Sequence, residues 1–143
     1  MIELNDLQFA YPKGEFALRV NHMAIAQGQS CCWVGPSGAG KTTLLHLVAG
    51  IFSPEAGQVT TCGVELTTLS EAARRDFRIA NIGLVFQDFA LLDYLNVLEN
   101  ILLPYRISRA LQMDAAVRLR AEQLATTVGL HDKLRRPPAQ LSQ

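Results

Sequence analysis

Between Ile2 and Tyr11 the chain nearly alternates apolar and polar residues: Ile2, Leu4, Leu7, Phe9 and Tyr11 form the apolar set, which slips by one position at Asn5-Asp6. Successive strand side chains point to opposite faces, so the slip predicts a strand with a bulge or kink. Pro12-Lys13-Gly14 predicts a turn, Phe16, Leu18 and Val20 a second alternating strand, and Gln27-Gly28 another turn. The apolar run Cys31-Cys32-Trp33-Val34 then reads as a buried strand.

The period changes after Lys41. Residues 42–49 are compact and helix-forming, with Leu44, Leu45 and Val48 on one face and Gly50 placed to end the helix. Residues 59–62, between Gly57 and Gly63, predict a short strand. Ser70 is placed to cap a short helix, and residues 82–86 form a second apolar run of strand length. Strands alternating with helices predict an α/β fold.

Beyond Gln87 the composition shifts to leucine, alanine and arginine. Val117, Ala121, Leu124 and Val128 recur at helical spacing before Gly129, which predicts a small helical subdomain. Arg135-Arg136-Pro137-Pro138 reads as a linker, and no internal repeat or low-complexity tract interrupts the chain.

Composition narrows the function. A length of 143 residues allows one core that folds without disulfides or a structural metal. Thirteen Lys and Arg balance thirteen Asp and Glu, so no net field draws the chain to nucleic acid or to an anionic membrane surface. The three cysteines, two of them adjacent, suit neither a disulfide framework nor a zinc site and point to a reducing cytoplasm. No apolar run approaches the ~20 residues that span a bilayer, and the start lacks the pattern of a signal peptide. Membrane association is expected to go through a partner.

The strongest chemical signal is Gly35-Pro36-Ser37-Gly38-Ala39-Gly40-Lys41-Thr42, which satisfies the Walker A pattern in its required place between a predicted strand and a predicted helix. Glycines let successive amides point inward, and the following helix adds its unpaired N-terminal amides and positive dipole end. Lys41 is placed to reach β and γ phosphates, and the Thr42 hydroxyl to complete the coordination of Mg²⁺. The expected ligand is therefore ATP with Mg²⁺.

Four further features make the chain resemble the nucleotide-binding domain of ABC transporters. Tyr11 matches the aromatic that stacks on adenine in that family, and a flat ring offers contact area with little base discrimination. The segment from Gly50 through Ser53-Pro54-Glu55-Ala56-Gly57 to Val59 looks like the family's helix exit and turn. Gly83-Leu84-Val85-Phe86-Gln87 looks like the Q-loop, and Gln140-Leu141-Ser142-Gln143 like the start of the signature Leu-Ser-Gly-Gly-Gln.

The resemblance implies a P-loop NTPase of ABC type, incomplete: N-terminal antiparallel strands, the phosphate-loop strand and helix, and part of a helical subdomain. It places a nucleotide-binding core in residues 1–88 and the helical part in residues 89–143. The implied nucleotide contacts are Tyr11, Gly35, Ser37, Gly38, Ala39, Gly40, Lys41, Thr42, Thr43, Gln87 and Ser142, with Thr42 and Gln87 on the metal. Asp88, the rival metal ligand on the same segment, is disfavoured because the family's acidic pair follows the signature.

Residues 86–104 further resemble the subgroup that powers lipoprotein release and macrolide efflux with FtsX-type permeases, departing from it at Asp93 and Asn96. The implied partners are an integral-membrane permease and a second ATP-binding subunit in a head-to-tail dimer. The implied location is the cytoplasmic face of the cell membrane.

The pattern also stops inside the signature, before the family's Walker B acid, catalytic glutamate and switch histidine. His22, His46 and His131 match none of its motifs, and His46 reads as a packed residue. Binding without efficient hydrolysis is the expectation, together with marginal stability from unpaired sheet edges. Three readings stay open: the N-terminal part of a transport ATPase, a nucleotide-binding module without turnover, and a small P-loop metabolite kinase. The kinase would need phosphate-clamping arginines, but Arg74, Arg75 and Arg78 read as a solvated helix face.

Overall fold

The computed structural model describes residues 1–12, 16–86 and 91–141. The chain divides into two compact units, Met1–Ile82 and Gly83–Gln143.

In the first unit, β1 (Ile2–Ala10) pairs antiparallel with β2 (Ala17–Ile25) on one side and β3 (Ala56–Thr61) on the other, and β4 (Val64–Glu65) completes the order β2-β1-β3-β4. The slip in the apolar pattern is a β-bulge: Asn5 faces Gln58 and Gln8 faces Ala56, so Asp6 and Leu7 together oppose Gly57. Asp6 takes φ 47° and Gly57 φ 86°. The extra residue returns Leu7 to the face of Leu4, and both are buried.

Helix α1 (Lys41–Val48) packs on β3, burying Leu47 and Val48 against Leu4, Leu7, Phe9, Val59 and Leu66. Leu44 packs against this cluster, whereas Leu45, expected on the same face, is 40% exposed. At 100° per residue, Leu45 lies a step beyond the arc that Leu44, Leu47 and Val48 cover. Helix α2 (Glu71–Asn81) follows, capped by the Ser70 hydroxyl, which accepts from the Ala73 amide at 3.2 Å.

Two expected strands do not form. Residues 31–36 and 82–86 carry no strand ladder, Cys31 and Cys32 are exposed, and Val34 and Val85 are 91% and 85% exposed. A strand exists through its neighbours' hydrogen bonds, and among the described residues neither segment joins the sheet β2-β1-β3-β4. The turn expected at Pro12-Lys13-Gly14 is described only at Pro12; Lys13 and Gly14 lie outside the described residues.

In the second unit, α3 (Val97–Ile107) and α4 (Ala115–Thr127) pack together. The helical reading of α4 holds, with Gly129 at φ 72° just past its end. Its buried positions, however, are Ala121 and Ala125, while Leu124 and Val128 are 49% and 68% exposed. Small side chains let the partner element approach on that face, and the larger residues are left outside it.

The segment read as a linker is an integral part of the fold. Leu134 is buried, its carbonyl accepts from the Leu98 amide at 3.0 Å, and the Arg136 carbonyl accepts from the Val97 amide at 3.0 Å. With the Asn96–Glu99 capping box, these bonds occupy the first-turn amides of α3. Basic and proline residues mark a break in helix, not a break in packing.

A candidate nucleotide-binding site

Among the described residues the two ends of α1 are treated differently. At the C-terminus the Val48 carbonyl accepts from buried Thr61 at 2.8 Å, the His46 carbonyl from Ile51 at 2.8 Å and the Gly50 carbonyl from Arg78 at 3.1 Å. The N-terminus has no side-chain cap, because its capping residue is Gly40, at φ 87°. Ser70, Asn96 and Asp114 cap α2, α3 and α4 with their side chains. The amides of the first turn of α1 thus remain available to an anion, with the positive dipole end behind them.

Around that helix start lies a cavity of about 310 Å³, lined by Ser37, Gly38, Gly40, Lys41, Thr42 and Thr43, and by the aromatic rings of Tyr11 and Phe16. Among the described residues none lining the cavity is acidic, and Lys41 is a cation in it. Its ammonium donates to the carbonyls of Gly35 at 2.8 Å and Pro36 at 2.7 Å, which folds the loop around the amine. The Ala39 amide donates to the Pro36 carbonyl at 3.3 Å, closing the turn, and Gly38 takes φ 80°.

Tyr11 stands across the cavity from the loop. Its hydroxyl is 2.9 Å from that of Thr43, and its ring meets the edge of Phe9 at 5.0 Å and of Phe52 at 5.8 Å. Phe9 and Phe52 stack at 5.4 Å with planes 9° apart, and His46 meets Phe52 edge-on at 5.0 Å. His46 is therefore part of this packed aromatic group.

The structure brings Tyr11, Ser37, Gly38, Gly40, Lys41, Thr42 and Thr43 to one cavity, with Gly35 contributing a carbonyl to Lys41 and Ala39 lying in the loop. Gln87, Asp88 and Ser142 lie outside the described residues. Among the described residues no group of three His, Cys, Asp or Glu side chains could hold a metal ion. The Thr42 hydroxyl lies at the helix start, and an oxygen there would suit Mg²⁺ that completes its shell with phosphate oxygens and water.

Phe16 was read in the sequence only as the first apolar residue of the second strand. The register that pairs Ala10 with Ala17 carries Tyr11 and Phe16 together at the end of the β1–β2 ladder. A turn centred on Lys13 would instead have set Tyr11 opposite Glu15, one residue out of this register.

The arginines of α2 are not a solvated face. Arg74 donates to the Leu69 carbonyl at 2.9 Å and Arg78 to the Gly50 carbonyl at 3.1 Å; only Arg75 faces outward, 3.5 Å from Glu71. Burial, and then repulsion from Arg75 and Arg74, holds the Arg78 guanidinium below its ordinary pKa. Two of the three arginines are thus committed to backbone carbonyls.

Comparison with known proteins decides the family, since the ABC transporter family matches residues 18–143. The chain belongs to the ABC transporter family. It is similar to the lipoprotein-releasing system ATP-binding protein LolD of Nitrobacter winogradskyi, 38% identical over 99% of this chain and 61% of that protein. An uncharacterised ABC transporter ATP-binding protein of Mycobacterium tuberculosis is 39% identical over 99% of this chain and 58% of its own length.

Among solved structures, this ABC transporter chain resembles the ATP-binding cassette MJ0796 in a dimeric post-hydrolysis state bound to ADP and Pi. The TM-score is 0.83 and the identity 29%, over 99% of this chain and 63% of that one. A second dimeric structure of MJ0796 gives a TM-score of 0.83 at 30% identity. The chain spans 61% of the length of the LolD above and 43% of that of another curated relative it matches. No helix among the described residues is long and apolar enough to cross a membrane.

Proposed function

We propose that this chain binds Mg-ATP at the start of α1 as part of an ABC transporter subunit that drives transport through a separate membrane permease. The observation that carries the reading is the uncapped N-terminus of α1, opening with Lys41 into a cavity where no described lining residue is acidic. In this reading the loop amides and Lys41 hold the β and γ phosphates, Thr42 shares Mg²⁺ with them, and Tyr11 lies against adenine. Mg²⁺ supplies charge neutralisation on the phosphates when bound.

Gln87 is assigned to the metal and the attacking water, and Ser142 to the γ phosphate of a second subunit in a head-to-tail dimer. Residues 1–88 form the nucleotide-binding core and residues 89–143 the helical part that faces the permease. The similarity to a lipoprotein-releasing system ATP-binding protein supports transport as the setting. The FtsX-type permease and the place on the cytoplasmic face of the membrane rest on the resemblance of residues 86–104.

Within the 143-residue chain the proposed role is binding without efficient turnover, because among the described residues none that lines the cavity is a carboxylate that could activate water. A non-hydrolysing module remains the second reading, favoured by that same lining. A small-metabolite kinase is disfavoured, since Arg74 and Arg78 are occupied by backbone carbonyls. Mg-ATP titration combined with steady-state phosphate release tests the proposal: affinity without release is expected, whereas release abolished by Lys41→Ala would contradict it.

A further inference from the structure

We propose that Phe16 is a second nucleobase-end wall of the site, meeting Tyr11 in an aromatic corner that grips the base and ribose of the bound nucleotide. The inference rests on the nucleotide-binding reading above and extends it to a residue that no motif marks.

Three observations place Phe16 there. The β1–β2 register ends with Ala10 opposite Ala17, so Tyr11 and Phe16 follow as the next cross-strand neighbours. Their rings lie 6.0 Å apart between centroids with planes at 49°, and both line the cavity. Phe16 also reaches the phosphate loop itself, since a Cβ built on Gly40 would stand 2.6 Å from Phe16 Cζ and 3.4 Å from its Cε2. The absence of a side chain at Gly40 is what lets the ring tip rest on the backbone where α1 begins.

The geometry divides the cavity chemically. One side offers amides, hydroxyls and an ammonium, which suit phosphates; the other offers two ring faces inclined to one another, which suit a flat heterocycle and its sugar. Tyr11 is anchored by Thr43, Phe9 and Phe52, so the corner has one fixed wall. A planar ligand seated in it buries surface against both rings, and aromatic contact of this kind changes affinity on the order of tenfold. Phe16 has nothing to offer a phosphate, so its contribution should vanish for a ligand without base and sugar.

The test is calorimetric titration of the 143-residue chain, Phe16→Ala and Phe16→Leu with Mg-ATP and with magnesium tripolyphosphate. Phe16→Ala is expected to raise the Kd for ATP about tenfold, Phe16→Leu by less, and neither to move the tripolyphosphate Kd by more than about twofold. Phe16→Leu keeps apolar bulk and decides the matter should the alanine variant fail to fold. Equal weakening for both ligands, or unchanged ATP affinity in a folded variant, would overturn the proposal. If the unaltered chain binds neither ligand, the nucleotide reading falls and takes this inference with it, an outcome distinct from lost ATP preference alone.

Discussion

The hydroxyl of Tyr11 lies 2.9 Å from the hydroxyl of Thr43, joining the end of the first strand to the first turn of the phosphate-loop helix. The two partners are unequally buried: Thr43 is 6% exposed and Tyr11 39%. Removing either hydroxyl breaks the same bond, but it strands different groups.

Tyr11→Phe leaves the buried Thr43 oxygen without this partner, whereas Thr43→Val leaves a phenol that water can reach. Tyr11→Phe should therefore cost about 1–2 kcal/mol and Thr43→Val under about 1 kcal/mol. The double variant should be less destabilised than the sum of the two. Urea unfolding of the three variants checks the asymmetry, and equal, additive costs would contradict it.

Gly57 faces the bulge at Asp6, and a side chain there has nowhere to go. A Cβ at Gly57 would overlap the Asp6 carbonyl and stand 2.6 Å from the Asn5 carbonyl oxygen, and φ is 86°. Gly63 has a similar φ of 79° but open space around it. Gly63→Ala should cost about 1–2 kcal/mol from backbone strain alone, and Gly57→Ala should exceed it by about 1–3 kcal/mol from the collision. Parallel denaturation curves separate the two contributions.

Arg78 and Arg75 should respond unequally. Arg78→Gln removes a charged donor from the Gly50 carbonyl and should destabilise by about 1–2 kcal/mol. Arg75→Gln removes a like charge from beside Arg78 and gives up only the exposed Glu71 pair, so it should change stability by no more than about 0.5 kcal/mol. A base whose folded pKa is depressed carries a cost while protonated, relieved only as pH rises past that pKa. For arginine that lies in strong alkali, so neither difference should vary between roughly pH 6 and 9. Thermal melts across that range test both magnitudes and their independence of pH.

At the start of α3, Asn96 accepts from the Glu99 amide at 2.9 Å, and Glu99 accepts from the Asn96 amide at 3.0 Å. Asn96→Ala should cost about 1 kcal/mol. Asn96→Thr retains a capping oxygen and should cost only a few tenths of a kcal/mol. Helix content followed through urea unfolding distinguishes the two.

Much of this fold could be read from local pattern. The slip at Asn5-Asp6 announced the bulge because two-residue periodicity leaves no other way to keep Leu4 and Leu7 on one face. Ser70 and Gly129 announced helix ends because their chemistry is local. The apolar runs at 31–34 and 82–86 misled because hydrophobicity signals burial but does not supply a hydrogen-bonding neighbour. Arg135-Arg136-Pro137-Pro138 misled because the carbonyls that cap α3 are invisible in side-chain identities.

The site followed the same division. Loop glycines, Lys41 and Thr42 were legible as a spacing, and Tyr11 through family resemblance. Phe16 required the hairpin register, and the tethering of Arg74 and Arg78 required knowing where the Leu69 and Gly50 carbonyls lie.

The central claim is that the uncapped start of α1, with Lys41, holds the phosphates of a nucleotide. Calorimetric titration of the folded 143-residue chain with ATP and Mg²⁺, beside Lys41→Ala, tests it most directly. One saturable site is expected, weakened at least about a hundredfold in Lys41→Ala while far-UV circular dichroism stays the same. No heat of association from a folded sample, or equal affinity in the two proteins, would contradict it.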